Sequence, residues 1–96
     1  MPERSVPGVL RQRLAHNLKF ARQVRGLTQE QLAEAAGMSR SYISEVEYLN
    51  RNATIDVLER LTKALDLDVL DLLAPAKDIE AVLVKDRPRR SPARRR

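Results

Sequence analysis

The chain contains no cysteine. Disulfides, thiolate metal sites and a cysteine nucleophile are therefore excluded, and the composition fits a reducing compartment. No apolar run approaches the roughly 18 residues of a membrane span, and no signal-peptide hydrophobic region follows Met1. Three Gly and five Pro are few for 96 residues, and most fall at the ends or at turns. His16 is the only histidine; alone on a helix of a small domain, it reads as a surface or packing residue and not as a base. Gly-rich phosphate loops and metal-ligand spacings are absent. Ser39, Ser41 and Ser44 have no base beside them in sequence, and Glu45 and Glu47, two apart on a helix, face different ways. The expectation is a soluble cytoplasmic protein that is not an enzyme and carries no cofactor or metal.

What is present is charge, unevenly placed. The formal net charge is +5. Residues 1–25 carry six cations against Glu3 alone, residues 26–76 carry four against nine carboxylates, and residues 77–96 carry eight against three. The centre is acidic and both ends are basic. A polyanionic partner would meet a few placed cations in the centre and a diffuse basic end.

At this length the chain is one domain with a tail. Residues 1–8 read as an irregular arm, because Pro2, Pro7 and Gly8 discourage a helix. From about Val9 to Arg25, Leu10, Leu14, Leu18, Ala21 and Val24 fall at helical spacing. Gly26 suits the residue beyond that helix, where the left-handed conformation costs it nothing. Thr28 and Gln31 make a capping-box pattern for a second helix, with Leu32, Ala33 and Ala36 as its buried stripe and Gly37 as its stop. Ser39 caps a third helix that turns Ile43 and Val46 inward. After a loop at 50–53, Thr54 caps a fourth, with Ile55, Leu58, Leu61, Thr62 and Leu65 inward. Asp66, one of the few non-Gly residues that tolerates the left-handed region, ends it. Asp68 caps a short fifth helix through Leu73, and Ala74-Pro75 stops it.

Residues 79–84, Ile-Glu-Ala-Val-Leu-Val, are too short to be resolved by period, and their β-branched content leans towards a strand. They are too apolar for a linker. Residues 75–84 are therefore expected to serve dimerisation or packing, with Ile79, Val82, Leu83 and Val84 set against the fifth helix or across a dimer axis near Leu70 and Leu73. Residues 85–96 are rich in Arg, Pro and Ser and have almost nothing to bury, which predicts a basic tail disordered when free.

Two short helices separated by a tight turn, with small residues Ala33, Ala36 and Gly37 where they approach, form the centre of the chain. With Arg22, Leu27-Thr28-Gln29, Leu32, Ser39, Tyr42-Ile43-Ser44 and Glu47, this run resembles the helix-turn-helix of the Cro/cI-type (XRE-like) DNA-binding proteins over roughly residues 13–73. The resemblance implies an all-α, compact five-helix lambda-repressor-like domain over residues 9–74, acting on double-stranded DNA at the nucleoid. It implies a transcriptional regulator, in the simplest case a repressor, working as a homodimer on a palindromic operator.

On that resemblance the third helix enters the major groove. Arg40, Ser41, Ser44 and Glu45 would then read bases, Arg40 pairing with a guanine and Glu45 accepting from a cytosine amino group. Gln29 would bind a phosphate at the start of the second helix, where free N–H groups and the helix dipole favour an anion. Ser39, Tyr42, Asn50, Arg51, Asn52 and Thr54 complete the phosphate-contacting set, with packing against the turn as the alternative for Tyr42. Arg22 and Glu47 would form an ion pair that orients the first helix against the third. The chain departs from the family at Leu49, commonly Gly, and at Ala53, often Pro. Leu49 takes the left-handed conformation only at a cost, so the third helix is expected to run longer or to end in a different turn through Asn50. Two rival readings stand beside this one. The same helices would serve as an interaction module for a toxin or another regulator, which pairing of the 79–84 run with a partner strand would favour. Alternatively, the Arg-rich tail would drive nonspecific nucleic-acid binding.

Overall fold

The structure is a computed structural model that describes residues 8–48 and 51–84. Six helices follow one another: α1 (Val9–Val24), α2 (Gln29–Ala36), α3 (Arg40–Glu47), α4 (Ile55–Leu65), α5 (Val69–Leu73) and α6 (Ala76–Val84). There is no strand among the described residues. Of the expected arm at 1–8 only Gly8 is described, as the cap of α1; Leu49, Asn50 and the basic tail at 85–96 lie outside the described residues.

Local chemistry sets the helix boundaries. The side chains of Thr28, Ser39 and Thr54 accept hydrogen bonds from the backbone N–H groups of Gln31, Tyr42 and Val57, three residues on in each case. Each satisfies an otherwise orphaned donor of a first turn. Thr28 and Gln31 form the full capping box, as do Asp68 and Asp71. At the other ends, Gly26 (φ 74°), Gly37 (φ 71°) and Asp66 (φ 59°) turn the chain out through the left-handed region. The next N–H in each case reaches back into the finished helix: Leu27 to Arg22, Met38 to Ala33, and Leu67 to Thr62. α3 ends at Glu47 with Tyr48 as its cap; the expected turn through Leu49 and Asn50 lies outside the described residues.

α1 is the spine, touching α3, α5 and α6, while α4 lies against α2 and α5. Leu18, Leu32, Ile43, Leu61, Leu65, Leu72 and Ile79 are fully buried, and Ala33 and Ala36 let α2 approach its neighbours. Three apolar residues expected inside are outside: Leu10 is 54%, Val24 43% and Ile55 74% exposed. All three sit in the first or last turn of their helices, where the helix overhangs the core. Leu58 is only partly buried.

The run 79–84 is the last part of α6, not a strand, and raises the helix count from the expected five to six. Its helical character comes from its upstream context. Ala76-Lys77-Asp78 supply helix-compatible residues, with an acidic side chain in the first turn. Ile79 and Leu83, four apart, then share one buried face. α6 lies on α1 and α5, so Ile79 and Leu83 are covered within the chain rather than offered as a strand edge. Leu70, expected beside them, is 72% exposed. His16 on α1 bridges to Glu80 on α6 at 3.3 Å and stacks on Phe20.

Asn17 is the residue the apolar pattern misses. It is fully buried on α1, and its amide donates towards the carbonyls of Leu72 at 2.9 Å and Ala74 at 2.8 Å, with Asp71 at 3.3 Å. One side chain thus ties off the end of α5 just before the turn into α6. Asn17→Ala leaves those carbonyls without that donor and should destabilise the fold by about 1–3 kcal/mol. Thermal melting checks this, and amide hydrogen exchange should show the loosening concentrated in α5 and α6.

Candidate nucleic-acid interface

The site begins with the approach of α2 to α3. Met38 follows the left-handed turn at Gly37, Ser39 caps α3, and Ile43 and Val46 anchor its inner face. At 3.6 residues per turn Arg40, Ser41, Ser44 and Glu45 fall within an arc of about 140° away from those two anchors. Arg40 and Ser41 are exposed, Ser44 and Glu45 half-buried. Arg40 and Ser41 have no side-chain hydrogen bond or ion pair among the described residues, which leaves the Arg40 fork of donors available to an outside acceptor.

Glu47 closes the inner end of α3. Arg22 grips it with two parallel bonds, Nε to Oε2 at 2.7 Å and Nη2 to Oε1 at 3.0 Å, and donates a third from Nη1 to the Leu27 carbonyl at 2.9 Å. The Glu47 side chain is 1% exposed and that of Arg22 11%, so the charges are compensated inside the protein. The bond to Glu47 raises the Arg22 pKa above its ordinary value, against the opposing effect of burial. Gln29 joins the same carboxylate: its Nε2 donates to Glu47 Oε1 at 3.0 Å. The amide therefore has one hydrogen engaged and one left, and its position at the start of α2 is held by the ion pair. This three-way junction was not legible in the sequence, which suggested the Arg22–Glu47 pair and the Gln29 position separately.

The loop before α4 is tied to α3 in a second junction. Tyr42 donates its hydroxyl to the Asn52 carbonyl at 2.6 Å. That proton is directed to the loop here, and the ring packs against it. Arg51 lies with its guanidinium carbon 5.0 Å from the Tyr42 ring centroid, within cation–π range. The same guanidinium donates from Nε to Glu45 Oε1 at 2.8 Å, with Nη2 also in contact with that oxygen. Asn52 and Thr54 are exposed beside it. Ser39 and Thr54 use their oxygens as cap acceptors, which leaves each hydroxyl hydrogen free to donate. Arg60, unremarked in the sequence, reaches from α4 to the Gly37 carbonyl at 3.4 Å; no local signal announces a contact across 23 residues. Groups of acidic or histidine side chains able to hold a metal are absent among the described residues.

α3 carries two carboxylates, and each is matched by an arginine from another element: Glu47 by Arg22 and Glu45 by Arg51. Arg40 is the remaining charge on that helix. Its outer arc therefore presents a cation and hydroxyls rather than a net negative face.

Residues 18–72, more than half of the chain, match the helix-turn-helix family. The chain belongs to that family, in its XRE-like form. Among its relatives, the control protein C.SmaI of Serratia marcescens is 47% identical over 51 residues, which are 53% of this chain and 61% of that one. A hypothetical transcription factor of Neisseria meningitidis is 36% identical over 55 residues, 57% of this chain and 52% of the relative. The chain thus spans about three fifths and about half of those two relatives. Among solved structures, the Neisseria transcription factor NHTF superposes with a TM-score of 0.70 at 33% identity, covering 77% of this chain and 87% of that one. The restriction-modification controller C.Esp1396I gives 0.66 at 33%, covering 76% and 95%. The all-α helix-turn-helix chain thus keeps this architecture with α6 added to the five helices expected. Among the described residues no helix is long and apolar enough to cross a membrane.

Proposed function

We propose that this chain is a sequence-specific, double-stranded-DNA-binding transcription regulator of the restriction–modification controller type, acting as a homodimer on a palindromic operator, with repression by occlusion as its simplest output. The observation that carries the reading is the outer arc of α3. Arg40, Ser41 and Ser44 stand there beside two carboxylates already matched by arginines. Such a helix can approach a major groove without presenting a net negative face to the phosphates. Gln29, Ser39, Arg51 and Thr54 flank it as phosphate-directed donors, and the similarity to controller proteins supports the same reading. Ile55 and Leu70, the most exposed large apolar residues described, offer α4 and α5 as surfaces for a second copy. A two-fold dimer sets two recognition helices about one DNA turn apart, roughly 34 Å.

Arg40→Ala is the corresponding test. It should weaken binding to a duplex selected by the wild-type protein by about 1–3 kcal/mol and relax preference at one base position of each half-site. Fluorescence anisotropy on that duplex and on its single-base variants measures both. Full affinity with unchanged base preference would show that Arg40 reads nothing.

A further inference from the structure

The two carboxylates of α3 are compensated in different ways. Glu47 is buried and fixed. Glu45 and Arg51 are 39% and 49% exposed in their side chains, and their pairing sits at the surface. Arg51 is nonetheless held in one place: its plane rests near the Tyr42 ring, its Nε is on Glu45, and Tyr42 is itself tethered to the Asn52 carbonyl. A guanidinium in that position can exchange one oxyanion for another without a backbone movement, because its fork of donors fits a pair of carboxylate or phosphate oxygens alike.

We propose that Glu45 acts as an internal stand-in for a DNA phosphate, occupying Arg51 in the free protein and making α3 discriminate against non-target duplex. The inference rests on the reading of α3 as a groove-entering helix. A phosphate that takes Arg51 releases Glu45 into the groove as an unpaired anion. There the carboxylate is repelled by the surrounding backbone charge unless a base offers it a proton. In the major groove the donors are the amino groups of cytosine and adenine. A target with such a group opposite Glu45 satisfies both ions at once. A random duplex would satisfy Arg51 only by stranding Glu45, so there the pair stays closed and one phosphate contact is lost. Glu45 is then a specificity residue that works by restraint as well as by contact.

The test is a salt titration of binding to a random-sequence duplex by the wild type, Glu45→Gln, Arg51→Gln and the double variant. Glu45→Gln frees Arg51 while keeping the shape of the side chain. It should tighten binding to the random duplex by about fivefold and steepen the dependence of log K on log salt by about 0.9, the signature of one added phosphate contact. In the Arg51→Gln background the same substitution should leave the slope unchanged and most of the gain should vanish. On a duplex selected by the wild type, Glu45→Gln should gain less or lose affinity, so the specificity ratio falls. An equal gain in both backgrounds would reduce Glu45 to simple repulsion of the duplex and overturn the inference, as would an unchanged slope for Glu45→Gln. A wild type that prefers no sequence over the random duplex would instead overturn the proposed function, and the four-variant comparison would still read.

Discussion

Leu61→Ala should bring the domain close to its unfolding threshold at ambient temperature. Leu61 is fully buried in the core cluster, on the helix that lies against α2 and α5, and it shares that core with Leu32, Ile43 and Leu65. Truncation removes buried methyl groups and leaves a cavity that surrounding helices only partly fill, at a cost of about 2–5 kcal/mol. A native domain is stable by only about 5–15 kcal/mol, and a small one sits at the low end. A domain of this size should lose roughly 10 °C or more in Tm. Leu58→Ala, at a position only partly buried, should cost clearly less. Thermal unfolding of the two variants side by side measures the difference, and equal melting temperatures would mean that the core is not organised around Leu61.

The second large effect is expected at Glu47. Glu47→Ala strands the Arg22 guanidinium in a nearly buried place and removes the acceptor of Gln29. Breaking a buried pair from one side costs about 3–5 kcal/mol, more than the intact pair contributes. Replacing both partners by apolar residues, Arg22→Met with Glu47→Leu, should restore much of that stability, because no charge is then left unpaired. Stability and DNA affinity should separate in this double variant. The fold returns, but Gln29 has lost the carboxylate that positions it, so binding to duplex stays weaker than in the wild type. Chemical denaturation and anisotropy on the same samples read the two quantities. A double variant as unstable as Glu47→Ala would refute the argument from an uncompensated charge.

Much of the fold was legible because its boundaries are local. Thr28 with Gln31, Ser39, Thr54 and Asp68 announce helix starts within a few residues, and Gly37 and Asp66 announce stops, since few residues tolerate the left-handed region. The small stripe Ala33, Ala36 and Gly37 showed where α2 would be closely approached. Periodicity was less informative about how far the core extends. It placed Leu10, Val24 and Ile55 on inward faces, but it cannot say that the facing element has ended. Asn17 was invisible for a different reason. An apolar pattern reads only apolar residues, and the carbonyls that accept from the Asn17 amide nitrogen lie more than 50 residues away. α6 was ambiguous because β-branched residues in a short run look alike in either state, and its burial depends on α1. In the candidate site, the positions of Arg40, Ser41 and Ser44 followed from helix geometry, whereas the partners of Gln29, Tyr42 and Glu45 required the folded chain. Glu45 illustrates the gap: in sequence it is an anion awkwardly placed for a polyanion, and in the structure Arg51 stands against it.

Selection of bound duplexes from a random-sequence pool, carried out with the full chain and with Arg40→Ala, tests the role of α3 most directly. The wild type should enrich an inverted repeat whose half-sites lie about one turn apart, each containing a position where guanine is preferred. Arg40→Ala should lose the preference at that position and keep the others. A bound pool with the base composition of the starting pool, or a guanine preference that survives Arg40→Ala unchanged, would contradict α3 as the element that reads DNA sequence.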